Sequence, residues 1–83
     1  MAIFFELNEV ADAEIKRQIE NEFVRCMGDR PAEEHWKIWI HDLQSCRRVV
    51  VKGPTQTRDR FFFEDIREIP LAIRNWLDSY PFR

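Results

Sequence analysis

Glycine is nearly missing from this chain. Gly28 and Gly53 are the two it has in 83 residues. A flexible linker, a disordered tail or a phosphate-cradling loop would need more. Cysteine is equally sparse. Cys26 and Cys46 cannot build the disulfide framework usual in a secreted domain of this size. The expectation is a cytoplasmic protein with both thiols reduced. No apolar run approaches the roughly 18–20 residues that cross a bilayer, so no membrane partner is expected. The opening residues, Met1-Ala2-Ile3-Phe4-Phe5-Glu6, lack a basic stretch and turn acidic early, unlike a secretory signal. Repeats and low-complexity segments are absent too.

What is present is apolar and aromatic. Hydrophobic residues make up 45% of the chain and aromatics 13%, a composition that builds an ordered core. The length allows one domain, residues 1–83. The net charge of −2 argues against a protein built to coat nucleic acid. The charge is unevenly spread, however. Residues 35–60 hold Lys37, Arg47, Arg48, Lys52, Arg58 and Arg60 against Asp42 and Asp59, so the middle is basic and the two ends are acidic.

Periodicity supplies the elements. Residues 2–7 alternate, with Ile3, Phe5 and Leu7 on one face, and read as a strand. Asn8 and Asp12 are candidate caps of a helix whose stripe is Ile15, Ile19, Phe23 and Cys26. Gly28 and Pro31 end it. Residues 35–43 alternate again: Trp36, Ile38 and Ile40 oppose Lys37, Trp39 and His41. After a turn at Gln44-Ser45, residues 47–52 set Val49 and Val51 against Arg48, Val50 and Lys52. Gly53-Pro54 breaks that strand. Residues 57–64 read as a last strand, with Phe61 and Phe63 on the core face and Arg58, Arg60, Phe62 and Glu64 opposite. Asp65 and Glu68 have capping-box spacing. Pro70 fits a helix's first turn, and Ile69, Ile73, Trp76 and Leu77 form the stripe that follows.

These elements predict an α+β two-layer sandwich in the order β-α-β-β-β-α. The first connection should be a parallel crossover, and the later strands antiparallel neighbours. Both helices should cover one face of a four-stranded, mainly antiparallel sheet.

The opposite face is then open, and alternation assigns its occupants. The candidate binding residues are Phe4, Lys37, Trp39, His41, Arg48, Lys52, Arg58, Arg60 and Phe62, with Glu6, Val50 and Glu64 among them. Aromatics within a basic frame suit a protein partner, since Trp and Arg are favoured interface anchors. A second copy of the chain would use the same surface. Single-stranded nucleic acid also fits, because bases stack on aromatic rings and cations meet phosphates. That design is similar in architecture to RNA-recognition-motif domains. No RNP1-like run with its interior glycine is present and the element order differs, so the likeness implies no function. Long Arg and Lys stems could instead cover the rings and leave an ordinary solvated face.

Chemistry is sparse. Cys26, His35, His41 and Cys46 fit no compact zinc spacing. His41 and Cys46 lack a third group that would make a nucleophile pair. The loop at residues 52–58 has too little glycine to cradle an anion and reads as a turn. Glu33-Glu34 and Glu64-Asp65 read as solvated pairs or caps. The tail Tyr80-Pro81-Phe82-Arg83 is expected to pack over the core's edge. The chain is therefore expected to be a non-enzymatic binding domain without cofactor or metal, acting as an inhibitor, immunity or antitoxin-type protein does, by occupying a partner.

Overall fold

The computed structural model describes residues 2–80. From Pro81 onward, the tail lies outside the described residues. The elements are β1 (Ala2–Asn8), α1 (Ala13–Met27), β2 (His35–Asp42), β3 (Arg47–Lys52), β4 (Thr57–Phe62), a 3-10 turn at Ile66–Glu68 and α2 (Ile69–Ser79). The expected α+β order and the four-stranded, mostly antiparallel sheet are observed.

The strands lie in chain order, β1-β2-β3-β4. β1 runs parallel to β2, with α1 as the connection. β2–β3 and β3–β4 are antiparallel hairpins. This leaves β1 and β4 as the two edges. In the first hairpin, Leu43 donates its N–H to the Cys46 carbonyl at 2.9 Å. Gln44 there adopts a φ of 70°, a left-handed conformation that a side chain makes costly.

Asp12 starts α1. Its Oδ1 accepts the N–H groups of Glu14 and Ile15 at 2.9 and 3.1 Å. Asn8 instead turns the chain out of β1, accepting the Val10 N–H on its own Oδ1 at 3.1 Å. The buried stripe of α1 is Ile15, Ile19, Phe23 and Met27. Met27 takes the place expected for Cys26, which is half-buried beside it. The step of four from Phe23 holds the same face as the earlier steps of four.

Before α2, the reciprocal capping box does not form. Asp65 accepts the Arg67 N–H at 3.1 Å, but Glu68 makes no side-chain cap bond. A 3-10 turn forms instead, and α2 follows with Pro70 where a missing N–H costs nothing. Ile69, Ile73, Trp76 and Leu77 are all buried, as their spacing predicts.

Both helices pack on one face of the sheet in a single core with Trp36, Ile38, Ile40, Val49, Val51 and Phe62. Phe5 meets Phe23 of α1 edge-on at 6.1 Å, and Phe62 meets Trp76 of α2 at 5.5 Å. The helices run side by side in the same direction. Arg74 bonds Glu22 while Arg25, further along α1, bonds Asp78, further along α2.

Two side assignments differ from the sequence expectation. The first is β4. Val49 pairs with Arg60, Val51 with Arg58 and Arg47 with Phe62. Cross-strand partners share a face, so Arg58, Arg60 and Phe62 lie on the helix side. Phe62 is 1% exposed, whereas Phe61 and Phe63 are 47% and 74% exposed. The cause is the four-residue loop at 53–56, which pairs Lys52 with Thr57 and sets the parity of everything after it. The second is Leu7. A register shift between Phe5 and Leu7 leaves Glu6 unpaired and sets Leu7 opposite Trp39, on the open face.

Candidate binding face of the sheet

The uncovered face is organised by cross-strand rows. Phe4, Lys37, Lys52 and Thr57 make one row. Leu7, Trp39, Val50 and Asp59 make the next. His41, Arg48 and Phe61 make the third. Of the candidate residues, Phe4, Lys37, Trp39, His41, Arg48 and Lys52 are therefore brought together. Arg58, Arg60 and Phe62 are not part of this face.

The three displaced residues have other contacts. Arg60 stacks over the Phe62 ring at 4.9 Å and the Trp76 ring at 6.0 Å, covering the sheet's edge with its stem. Arg58 donates to Gln56 Oε1 at 3.1 Å and to the Tyr80 carbonyl. Burial pushes the Arg58 guanidinium below its ordinary pKa. Helix-side positions on an edge strand can hold such residues because their heads still reach water.

The remaining charge is partly self-neutralised. Arg48 Nε donates to Asp59 Oδ1 at 3.0 Å, and Nη2 contacts Oδ2. The Arg48 bonds hold the Asp59 carboxyl below its ordinary pKa. Arg48 also lies over the Phe61 ring at 5.7 Å. His41 Nδ1 approaches Glu9 Oε1 at 3.8 Å. Among the described residues, Lys37 and Lys52 have no ion pair; they are cross-strand neighbours and together make the one concentrated positive spot.

The aromatic complement survives with a substitution. Phe61 stands where Phe62 was expected. Phe4 is 43% exposed and stacks on His35 at 5.9 Å with planes 16° apart. Trp39 is half-buried at the centre of the face. Sequence reasoning missed Leu7, His35, Asp59 and Phe61 as members of the surface. The loop length between β3 and β4 carried the signal for Asp59 and Phe61, since a four-residue turn makes residues 52 and 57 partners.

The other chemistry-bearing residues are scattered. Cys26 is on α1 and Cys46 in the β2–β3 hairpin; both are free thiols. Burial raises the Cys26 pKa. Among the described residues, no group of three or more His, Cys, Asp and Glu side chains is placed to hold a metal. Glu34, expected as solvated or as a cap, is a structural acceptor. It takes bonds from Arg30 Nη2 at 2.7 Å and Trp36 Nε1 at 2.9 Å, which hold its carboxyl below the ordinary pKa. No helix among the described residues is long and apolar enough to cross a membrane.

Comparison with protein-family models, with curated proteins and with solved structures found no match.

Proposed function

We propose that this domain acts by binding another protein through the open face of its sheet. One observation carries the reading: Phe4, Leu7, Trp39, Val50 and Phe61 share one face of the sheet, which no element among the described residues covers. Arg48 is committed to Asp59 beside it. The partner suited to this face presents an apolar patch with an acidic group opposite Lys37 and Lys52. Trp39 is the central anchor, because a rigid ring at the middle of a desolvated patch contributes most to binding.

The departure of Arg58 and Arg60 and the pairing of Arg48 weigh against nucleic acid. A single strand needs a track of cations for successive phosphates. Self-association is disfavoured where a two-fold axis would bring Lys37 and Lys52 near their own copies.

The test is affinity capture of a defined partner by the wild type, Trp39→Ala and Phe61→Ala, with folding checked by circular dichroism. Trp39→Ala should cost about 2 kcal/mol or more, roughly a thirtyfold loss of affinity. Capture should persist at high salt. If both variants retain the partner at wild-type affinity, the sheet face is not the site. Binding to a labelled single-stranded oligonucleotide that collapses with salt would support the nucleic-acid alternative instead.

A further inference from the structure

A second surface, on the far side of the molecule from the open face, has a different chemistry. Between α1 and α2 runs a groove of about 500 Å³ whose polar lining is Gln18, Asn21, Glu22, Arg25, Arg67 and Arg74. Three guanidiniums meet one carboxylate there.

The carboxylate is Glu22, which is 7% exposed. It holds Arg74 side-on: Nε lies 3.0 Å from Oε1 and 3.1 Å from Oε2, and Nη2 lies 2.6 Å from Oε2. It also accepts Arg25 Nε at 3.0 Å. Arg25 reaches on to Asp78 at 3.2 Å. Two carboxylates therefore balance Arg25 and Arg74 and fix their orientation. Each guanidinium has five N–H donors in a planar fork, so both keep donors beyond these bonds. Arg67 stands outside the network. Among the described residues its side chain has no ion pair, and its charge is the one left over. On the opposite wall, the side-chain amide of Asn21 adds a neutral donor, and that of Gln18, which donates to Glu14 Oε1 at 3.2 Å, keeps its second N–H.

Pre-oriented guanidiniums with spare donors, one uncompensated positive charge and flanking amides fit a multiply charged oxyanion. A tetrahedral phosphate suits diverging donors on two helices better than a planar carboxylate does. The buried Glu22 would repel any anion that could not take several of these bonds together.

We infer that the groove between α1 and α2 binds a phosphate monoester group, with Arg67 and Arg74 as its principal donors and Glu22 as the residue that positions Arg74. The phosphate could belong to a free small molecule or to a phosphorylated side chain. The two sources share this chemistry and separate in the test.

The experiment is an NMR titration of the ¹⁵N-labelled full chain at constant ionic strength, set with chloride. One arm uses inorganic phosphate and the other a short phosphoserine peptide. Arginine Nε signals and the backbone amides of Gln18, Asn21 and Arg67 are followed. Saturable shifts confined to the groove are expected, weakening several-fold from pH 7.5 to pH 5.5 as phosphate loses its second charge. His35 and His41 lie on the opposite face of the sheet, away from the groove. Arg67→Ala should weaken binding at least tenfold with the melting temperature unchanged, because Arg67 takes no part in the Glu22 network. Arg67→Lys should recover part of the loss. Arg74→Ala disturbs that network, so Arg67→Ala is the deciding variant. Tighter peptide binding marks a phosphorylated partner, and tighter binding of free phosphate marks a small ligand. The inference is overturned if neither probe gives saturable shifts, or if Arg67→Ala responds as the wild type does.

Discussion

The indole of Trp36 occupies the space where a side chain on Gly53 would stand. A Cβ there would lie 2.4 Å from the ring's Cζ3, well inside van der Waals contact. Trp36 is fully buried, so it cannot swing aside. Gly53→Ala should cost about 1–3 kcal/mol through overpacking, read as a lower urea midpoint. Its requirement for glycine comes from this close approach, since its φ is not positive. The electrostatic counterpart is Glu22. The Arg74 bonds lower its pKa more than its burial raises it. Its folded pKa is therefore below its unfolded one, and its contribution is present above the ordinary glutamate pKa of about 4.3. As pH falls through the folded value, that contribution is lost. Glu22→Gln should lower stability by about 1–2 kcal/mol at pH 7 and flatten the acid limb of the stability–pH curve. Thermal unfolding of both proteins between pH 7 and pH 3 checks it. Glu22 was not singled out from the sequence, although it lies three residues after Ile19 and four before Cys26, on the flank of the apolar stripe. Its burial depends on where α2 lands.

At the scale of the element, β4 separates two kinds of information. Its existence was legible from composition and the break at Gly53-Pro54. Its facing was not, since two phenylalanines on odd positions outweighed one on an even position. Pairing with β3 decided otherwise. Phe62→Ala should cost about 3–5 kcal/mol, because it opens a cavity against Trp76. Phe61→Ala should change stability by less than about 1 kcal/mol. Equal costs for the two would contradict the observed parity, and chemical denaturation of the pair decides it. The helices were easier to read. Their stripes must face a core whatever the sheet does, and seven of the eight expected stripe residues are buried. Cys26 is the exception, because the stripe drifts and Met27 fits the last turn better.

For the molecule as a whole, the Cα radius of gyration is 12.0 Å. That agrees with the roughly 12 Å expected of a compact monomer of this length. Small-angle scattering should return a value near this, raised slightly by side chains and hydration. A clearly larger, concentration-dependent value that Trp39→Ala reduces would mean that the open face pairs with its own copy. The same arrangement keeps the two candidate surfaces apart. The aromatic face lies on one side of the sheet and the arginine groove on the outer side of the helices, so a variant in one should leave the other intact.

The sequence by itself determined the element order, the α+β class and the helical stripes. These follow from local periodicity, capping and chain breaks, which act over a few residues. It also determined that β2 and β3 carry Trp39, Lys37 and Lys52 away from the core. The tertiary structure alone decided the strand order, the placement of Leu7, Phe61 and Phe62, and the meeting of Glu22 with Arg74 across 52 residues of chain. Those depend on register and on helix docking. A one-residue shift reverses every side chain in a strand, and nothing local to β4 records which partner it will meet.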